Sequence, residues 1–125
     1  MISYKTRILD NGLTVICSKD SSTPFATLNL LYKVGSRTEN PENTGFAHLF
    51  EHLMFSGSAN IEDFDREIDL CGGENNAFTS NDFTNYYITL PSSNIETAFR
   101  LESDRMMALN INPTSLETQR HVVIE

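Results

Sequence analysis

Thr44-Gly45-Phe46-Ala47-His48-Leu49-Phe50-Glu51-His52-Leu53-Met54-Phe55-Ser56-Gly57 is the stretch from which the rest of the chain is best read. Phe46, Leu49, Phe50, Leu53 and Met54 recur at i, i+3, i+4, i+7 and i+8, the period of an amphipathic helix. Gly57 is a helix stop signal. At about 100° per residue, His48, Glu51 and His52 fall on the face opposite that stripe. The helix is therefore expected to have one face for a core and one face for chemistry. Phe55 falls on the chemical side, placed to line a pocket.

Two neutral imidazoles at i and i+4 of a helix can bind one Zn²⁺. Glu51, next to His52 in sequence, is poorly placed as a further ligand. It can instead reach a water on the metal, whose pKa zinc lowers to about 7, and accept its proton as general base. The plain alternative is two solvent-facing histidines with Glu51 as a helical charge partner. The placement of all three on the non-core face favours the metal.

Moving outward, Tyr4–Leu9 and Leu13–Ser18 read as short strands joined at Asp10-Asn11-Gly12, a strong hairpin signal. Ala26–Val34 reads as a third strand, and Asn40–Thr44 as a polar loop into the motif helix. A second helix is expected from Asn60 to about Cys71, with Asn60 and Asp63 at a capping-box-like start and Gly72-Gly73 as breaker. Glu74–Ser80 and Phe83–Leu90 read as a second strand pair. Pro91-Ser92-Ser93-Asn94 opens a helix to about Leu109, and Asn112-Pro113-Thr114 opens a last one. Strand pairs separated by helix pairs imply an α+β fold, a mainly antiparallel sheet with helices packed on one face.

The chain has 125 residues, 39% apolar and 21% charged, the profile of a soluble globular domain. Its net charge of −8 argues against nucleic acid or an anionic membrane as partner and slightly favours basic peptide segments. No apolar run is long enough to span a bilayer. The N-terminus lacks the apolar core of a signal peptide, so a cytoplasmic location is expected, or a periplasmic one if a leader was removed. Cys17 and Cys71 are too few and too far apart for a disulfide framework and read as free thiols.

A catalytic zinc usually has three protein ligands and one open position. His121 reads better as an exposed residue of the last helix. Glu102 falls within the apolar stripe Ile95, Phe99, Met106 and Leu109, where a carboxylate needs a partner, and Arg105 at i+3 supplies one. Spacing alone does not choose among Glu102, Glu117 and Glu125.

The H-x-x-E-H order is that of the inverzincins, and the chain as a whole resembles a family. Asn11-Gly12-Leu13-Thr14-Val15, Val34-Gly35-Ser36-Arg37-x-Glu39, Thr44 to Gly57 and Gly72-Gly73-Glu74-Asn75-Asn76-Ala77-Phe78-Thr79 carry the resemblance. So do Asp82-x-Thr84-x-Tyr86, Leu101-Glu102-Ser103-Asp104-Arg105-Met106 and Arg120-x-Val122-Val123-Ile124-Glu125. Together they resemble the N-terminal part of pitrilysin- and insulinase-type zinc peptidases, most closely the mitochondrial-processing-peptidase-like bacterial members. The resemblance implies that His48 and His52 bind zinc and that Glu51 is the catalytic base. It implies a third glutamate ligand at the end of the last helix, either Glu125 or a residue just past it. It implies that the strand through Asn75 and Ala77 is an edge that pairs with an extended peptide or small protein substrate, with both residues near the scissile bond. It also implies that residues 1–125 are the N-terminal portion of a peptidase domain, truncated at the C-terminus. A C-terminal half or partner subunit would then complete a clamshell and supply further substrate and oxyanion contacts. An incomplete sheet of this kind would expose an edge and an apolar face.

Two other functions use the same residues. A non-catalytic peptide-binding or assembly subunit of this fold is disfavoured by the intact metal motif. A structural zinc domain would want four protein ligands, often cysteines, and the sequence offers no such set.

Overall fold

Alternation of side chains along the strands sets the architecture. The computed structural model describes residues 1–124. Over these the order is β1 (Lys5–Ile8), β2 (Thr14–Cys17), β3 (Phe25–Tyr32), α1 (Phe46–Leu53), α2 (Phe64–Leu70), β4 (Glu74–Thr79), β5 (Thr84–Pro91), α3 (Ile95–Met107) and α4 (Pro113–Ile124). β1 and β2 form the expected antiparallel hairpin, with Gly12 at a φ of 86° and the Asn11 side chain accepting from Leu13 N at 3.1 Å. The remaining strands form one antiparallel sheet in the order β3-β5-β4, so β5 is central and β4 is an edge.

Register determines which face is buried. Leu28 and Asn75 lie opposite Ile88, Leu30 and Ala77 opposite Tyr86, and Ala26 opposite Leu90. These residues are buried or half-buried and point to the helices, while their strand neighbours on β3 and β4 are exposed. The core joins Ile88 and Leu90 of the sheet to Ile61, Phe64 and Ile68 around α2 and to Ala98 and Leu101 of α3. Leu28, Phe55 and Ile95 close its margin. Each large side chain so buried stabilises the fold by about 1.5–3 kcal/mol relative to exposure. The opposite sheet face is open among the described residues, with Phe25, Leu31 and Phe78 each about half exposed. The α+β fold with helices on one face is as the sequence implies. Among the described residues no helix is long and apolar enough to cross a membrane. Cys17 and Cys71 are free thiols.

Three local expectations fail, each for a physical reason. α2 begins at Phe64 rather than Asn60. Asp63 alone caps it, accepting from Arg66 N at 3.0 Å. Asn60 is drawn away by Asp104, to which its amide side chain and backbone N–H donate at 2.6 and 3.1 Å and to which Ser58 also donates. On α3 the expected stripe is misplaced: Phe99 and Met106 are largely exposed, and the buried face is Ala98, Leu101, Glu102 and Arg105. Arg105 answers Glu102 as expected, through bonds of 2.7 and 2.5 Å, and the paired charges turn inward together. The guanidinium then rests on the rings of Phe64 and Tyr86, 4.4 and 4.7 Å from their centroids. On α1, Leu53 and Ala47 are buried, but Phe46 and Phe50 are about half exposed. They line an open cavity of about 360 Å³ with Tyr32, Val34 and Tyr86, because among the described residues nothing packs over them.

Candidate active site

α1 has only eight residues, too few to be stable alone, so tertiary contacts must hold it. At its N-terminus the Glu39 carboxylate accepts from Ala47 N at 2.6 Å and Gly45 N at 2.7 Å. Those two amides, Ala47's first, hold the Glu39 carboxyl below the usual carboxylate range, and the helix dipole favours a negative charge there. Gly45 makes the turn at a φ of 89°. Glu39 arrives from a loop seated on the β4–β5 turn, where Arg37 N donates to Asn81 O at 2.9 Å. A Cβ on Gly35 would lie 2.4 Å from Ser80 O, so only glycine permits that seating. At the other end, Arg105 donates to Met54 O at 3.4 Å, placing a cation by the helix C-terminus.

Between these clamps the chemical face is as the spacing requires. His48 Nε2 and His52 Nε2 are 3.2 Å apart, with rings at 67° to one another. Two imidazole nitrogens bound to one zinc ion at a near-tetrahedral angle lie about 3.3 Å apart. The pair therefore fits a shared metal ion, although a neutral pair can also share one hydrogen bond at that distance. Glu51 lies on the same turn, half-buried, and its Oε2 accepts a hydrogen bond from the Thr79 hydroxyl at the end of β4. Burial, opposed by Arg105 and reinforced by the Glu51 charge, pushes the Tyr86 phenol well above its ordinary range.

Glu102 is committed to Arg105 in the interior, where burial raises its pKa and the Arg105 charge pulls it back. Glu117 is exposed and contacts Arg120 at 3.2 Å, with exposed His121 at 3.9 Å. Glu125 lies outside the described residues. Among those residues, no third His, Cys, Asp or Glu joins the histidine pair to complete a metal site. The helix that leads to Glu125 nevertheless packs along α1.

Phe55 and Asn75 line one cavity of about 460 Å³, together with Asp65, Asp69 and Glu74. The Asn75 amide is held by Asp65 at 3.0 Å. Ala77 lies one residue pair further along β4 and does not line that cavity. Phe55 also packs against the margin of the core, edge-on to Phe64 at 6.3 Å. Sequence reasoning gave no role to Glu39 or Thr79. Thr79 shares a strand face with Asn75 and Ala77, a signal that alternation already carried.

The insulinase (peptidase family M16) model matches residues 14–125. The chain is 36% identical over 125 residues to zinc protease PqqE of Helicobacter pylori, covering 98% of this chain and 28% of that protein. It is 34% identical to the mitochondrial-processing peptidase subunit beta of Saccharomyces cerevisiae, covering 96% of this chain and 26% of that one. The crystal structure of a protease from Helicobacter pylori superposes with a TM-score of 0.91 at 33% identity, over 98% of this chain and 30% of that one. The chain thus spans between a quarter and a third of the length of these relatives. Extending over nearly all of it, the match shows that this chain belongs to the insulinase family of peptidases, M16.

Proposed function

We propose that the chain is the N-terminal catalytic portion of a zinc-dependent endopeptidase. The observation that carries this reading is the convergence of the His48 and His52 nitrogens, with Glu51 on the same turn, in a chain of a peptidase family. His48 and His52 would hold the metal with a third glutamate at or just past the end of α4, Glu125 being the first candidate. When bound, zinc supplies Lewis acidity toward a peptide carbonyl and acidifies water. Glu51 takes a proton from the attacking water and returns it to the leaving amine. The open edge of β4 pairs with an extended peptide, and the cavity at Phe55 and Asn75 receives one of its side chains. A C-terminal half or a partner subunit supplies the remaining substrate contacts; the yeast relative is itself named as a subunit.

Zinc content after exhaustive dialysis tests the metal reading. One zinc per molecule is expected, lost in His52→Ala and retained in Glu51→Gln, which no longer cleaves. Extending the chain past Glu125 should tighten binding if the third ligand lies there. Zinc retained by His52→Ala, or cleavage retained by Glu51→Gln, contradicts the assignment.

A further inference from the structure

We propose that Thr79 is a positioning residue that fixes the Glu51 carboxylate in its working orientation. The inference rests on Glu51 being the general base. A glutamate on a half-open helix face ordinarily samples several rotamers, and fixing them has an entropic cost. Here one carboxyl oxygen, Oε2, accepts the Thr79 hydroxyl, and among the described residues the Glu51 side chain has no other hydrogen-bond partner. That leaves Oε1 free to face a reacting group.

The donor is itself well fixed. Thr79 is β-branched, with few χ1 options, and half-buried. It pairs in register with Thr84 of central β5, whose own hydroxyl donates to Val34 O at 2.9 Å. Directly after it, the Ser80 side chain ties the turn by donating to Phe83 O at 2.9 Å. A rigid strand end therefore holds a flexible acid on a short helix. β4 is also an edge strand of the sheet. The element proposed to align the peptide backbone thus also aligns the base, which sets the distance between scissile bond and proton acceptor through one rigid body.

The test uses the zinc-loaded peptidase, this chain together with the C-terminal half or partner subunit that completes it, and four variants. Thr79→Val keeps the shape and removes the donor, Thr79→Ser keeps the donor, Thr79→Ala serves if valine impairs folding, and Glu51→Gln is the control. A misplaced catalytic group can cost about a hundredfold in rate. Thr79→Val should therefore lose about tenfold to a hundredfold in kcat, with KM and zinc content unchanged, and Thr79→Ser should recover most of it. A second readout needs no turnover. In glutamate-labelled, zinc-free protein, three-bond couplings of the Glu51 side chain should report one rotamer in wild type and Thr79→Ser, and averaged rotamers in Thr79→Val. Wild-type kcat and an unaveraged Glu51 in Thr79→Val, with Glu51→Gln inactive, would overturn the positioning role alone. Equal loss in Thr79→Ser and Thr79→Val would make Thr79 merely structural and overturn it too. Continued cleavage by Glu51→Gln would instead bring down the general-base reading on which it rests.

Discussion

Replacing Arg105 by methionine should destabilise the fold by an amount that depends steeply on pH. Arg105 and Glu102 have side chains only 1% and 6% exposed, and each is the other's charge partner. Breaking such a pair from one side costs about 3–5 kcal/mol, because the remaining charge is buried alone. Methionine restores much of the volume against Phe64 and Tyr86, so packing loss is secondary. Glu102 has an escape that Arg105 lacks, since it can take up a proton. Holding a carboxyl protonated at pH 7 against an ordinary value of about 4.3 costs about 3.7 kcal/mol, which caps the penalty. Burial already raises the Glu102 pKa in the intact pair, and removing Arg105 removes the charge and hydrogen bonds that oppose it. The folded state then binds more protons than the unfolded state above the ordinary value, so stability falls as pH rises through that window. The Arg105→Met deficit should be about 3–4 kcal/mol at pH 7 and shrink toward pH 5, by less than the full ~1.4 kcal/mol per unit wherever Glu102 of the intact pair already takes up protons. In Glu102→Gln the stranded group is an arginine that cannot lose its proton, so that deficit should not shrink toward pH 5. Urea unfolding followed by far-ultraviolet circular dichroism measures both, with a midpoint shift of roughly 2 M expected for Arg105→Met at pH 7. An Arg105→Met deficit under 1 kcal/mol, or one equal at pH 5 and pH 7, refutes the reasoning.

Glu39→Ala removes two hydrogen bonds from the first turn of α1 and should cost about 1 kcal/mol, the usual worth of an N-terminal cap. Urea midpoints check this, and an unchanged midpoint would mean that solvent replaces the cap. Acidification should destabilise the chain through Glu39 and Asp104, whose folded pKa values lie below their ordinary ones, Asp104's lowered first by the Asn60 amide. The stability they add is fully present above the ordinary carboxylate range and is lost as pH falls through the lowered values. In a melting-temperature series from pH 6 to pH 2, the double variant Glu39→Gln, Asp104→Asn should show a shallower acid limb than wild type.

Local patterns made most of the fold legible. Asp10-Asn11-Gly12 marks the first hairpin, Asn112-Pro113 the start of α4, and strand alternation the helix-facing side of the sheet. What the sequence left hidden is long-range. Asn60 reads as a helix start until Asp104, 44 residues away, captures its amide. On α3 the pairing of Glu102 with Arg105 is legible, but not that the pair takes the inner face from Phe99 and Met106. At the site, His48, Glu51 and His52 are legible because helical period alone brings them together. Glu39, Thr79 and Arg105 come from three other elements, and only tertiary structure shows them converging on α1.

That convergence matters because the histidines are held unequally. Phe55, just past α1, is wedged between Phe64 and Tyr86 beneath the Arg105 guanidinium, which docks the C-terminal end of the helix into the core. His52 lies within a turn of that docked end and is half-buried. His48 is exposed, in the half of the helix where Phe46 and Phe50 border an open cavity, and the Glu39 cap holds that first turn. Spacing of the two nitrogens at 3.2 Å therefore depends on helix continuity between an end docked in the core and a capped end beside an open cavity. Loosening the cap acts first on His48 and leaves His52 in place. Glu39→Ala should accordingly weaken zinc binding more than its cost of about 1 kcal/mol in global stability implies, because the first turn carries one of only two ligands on the helix.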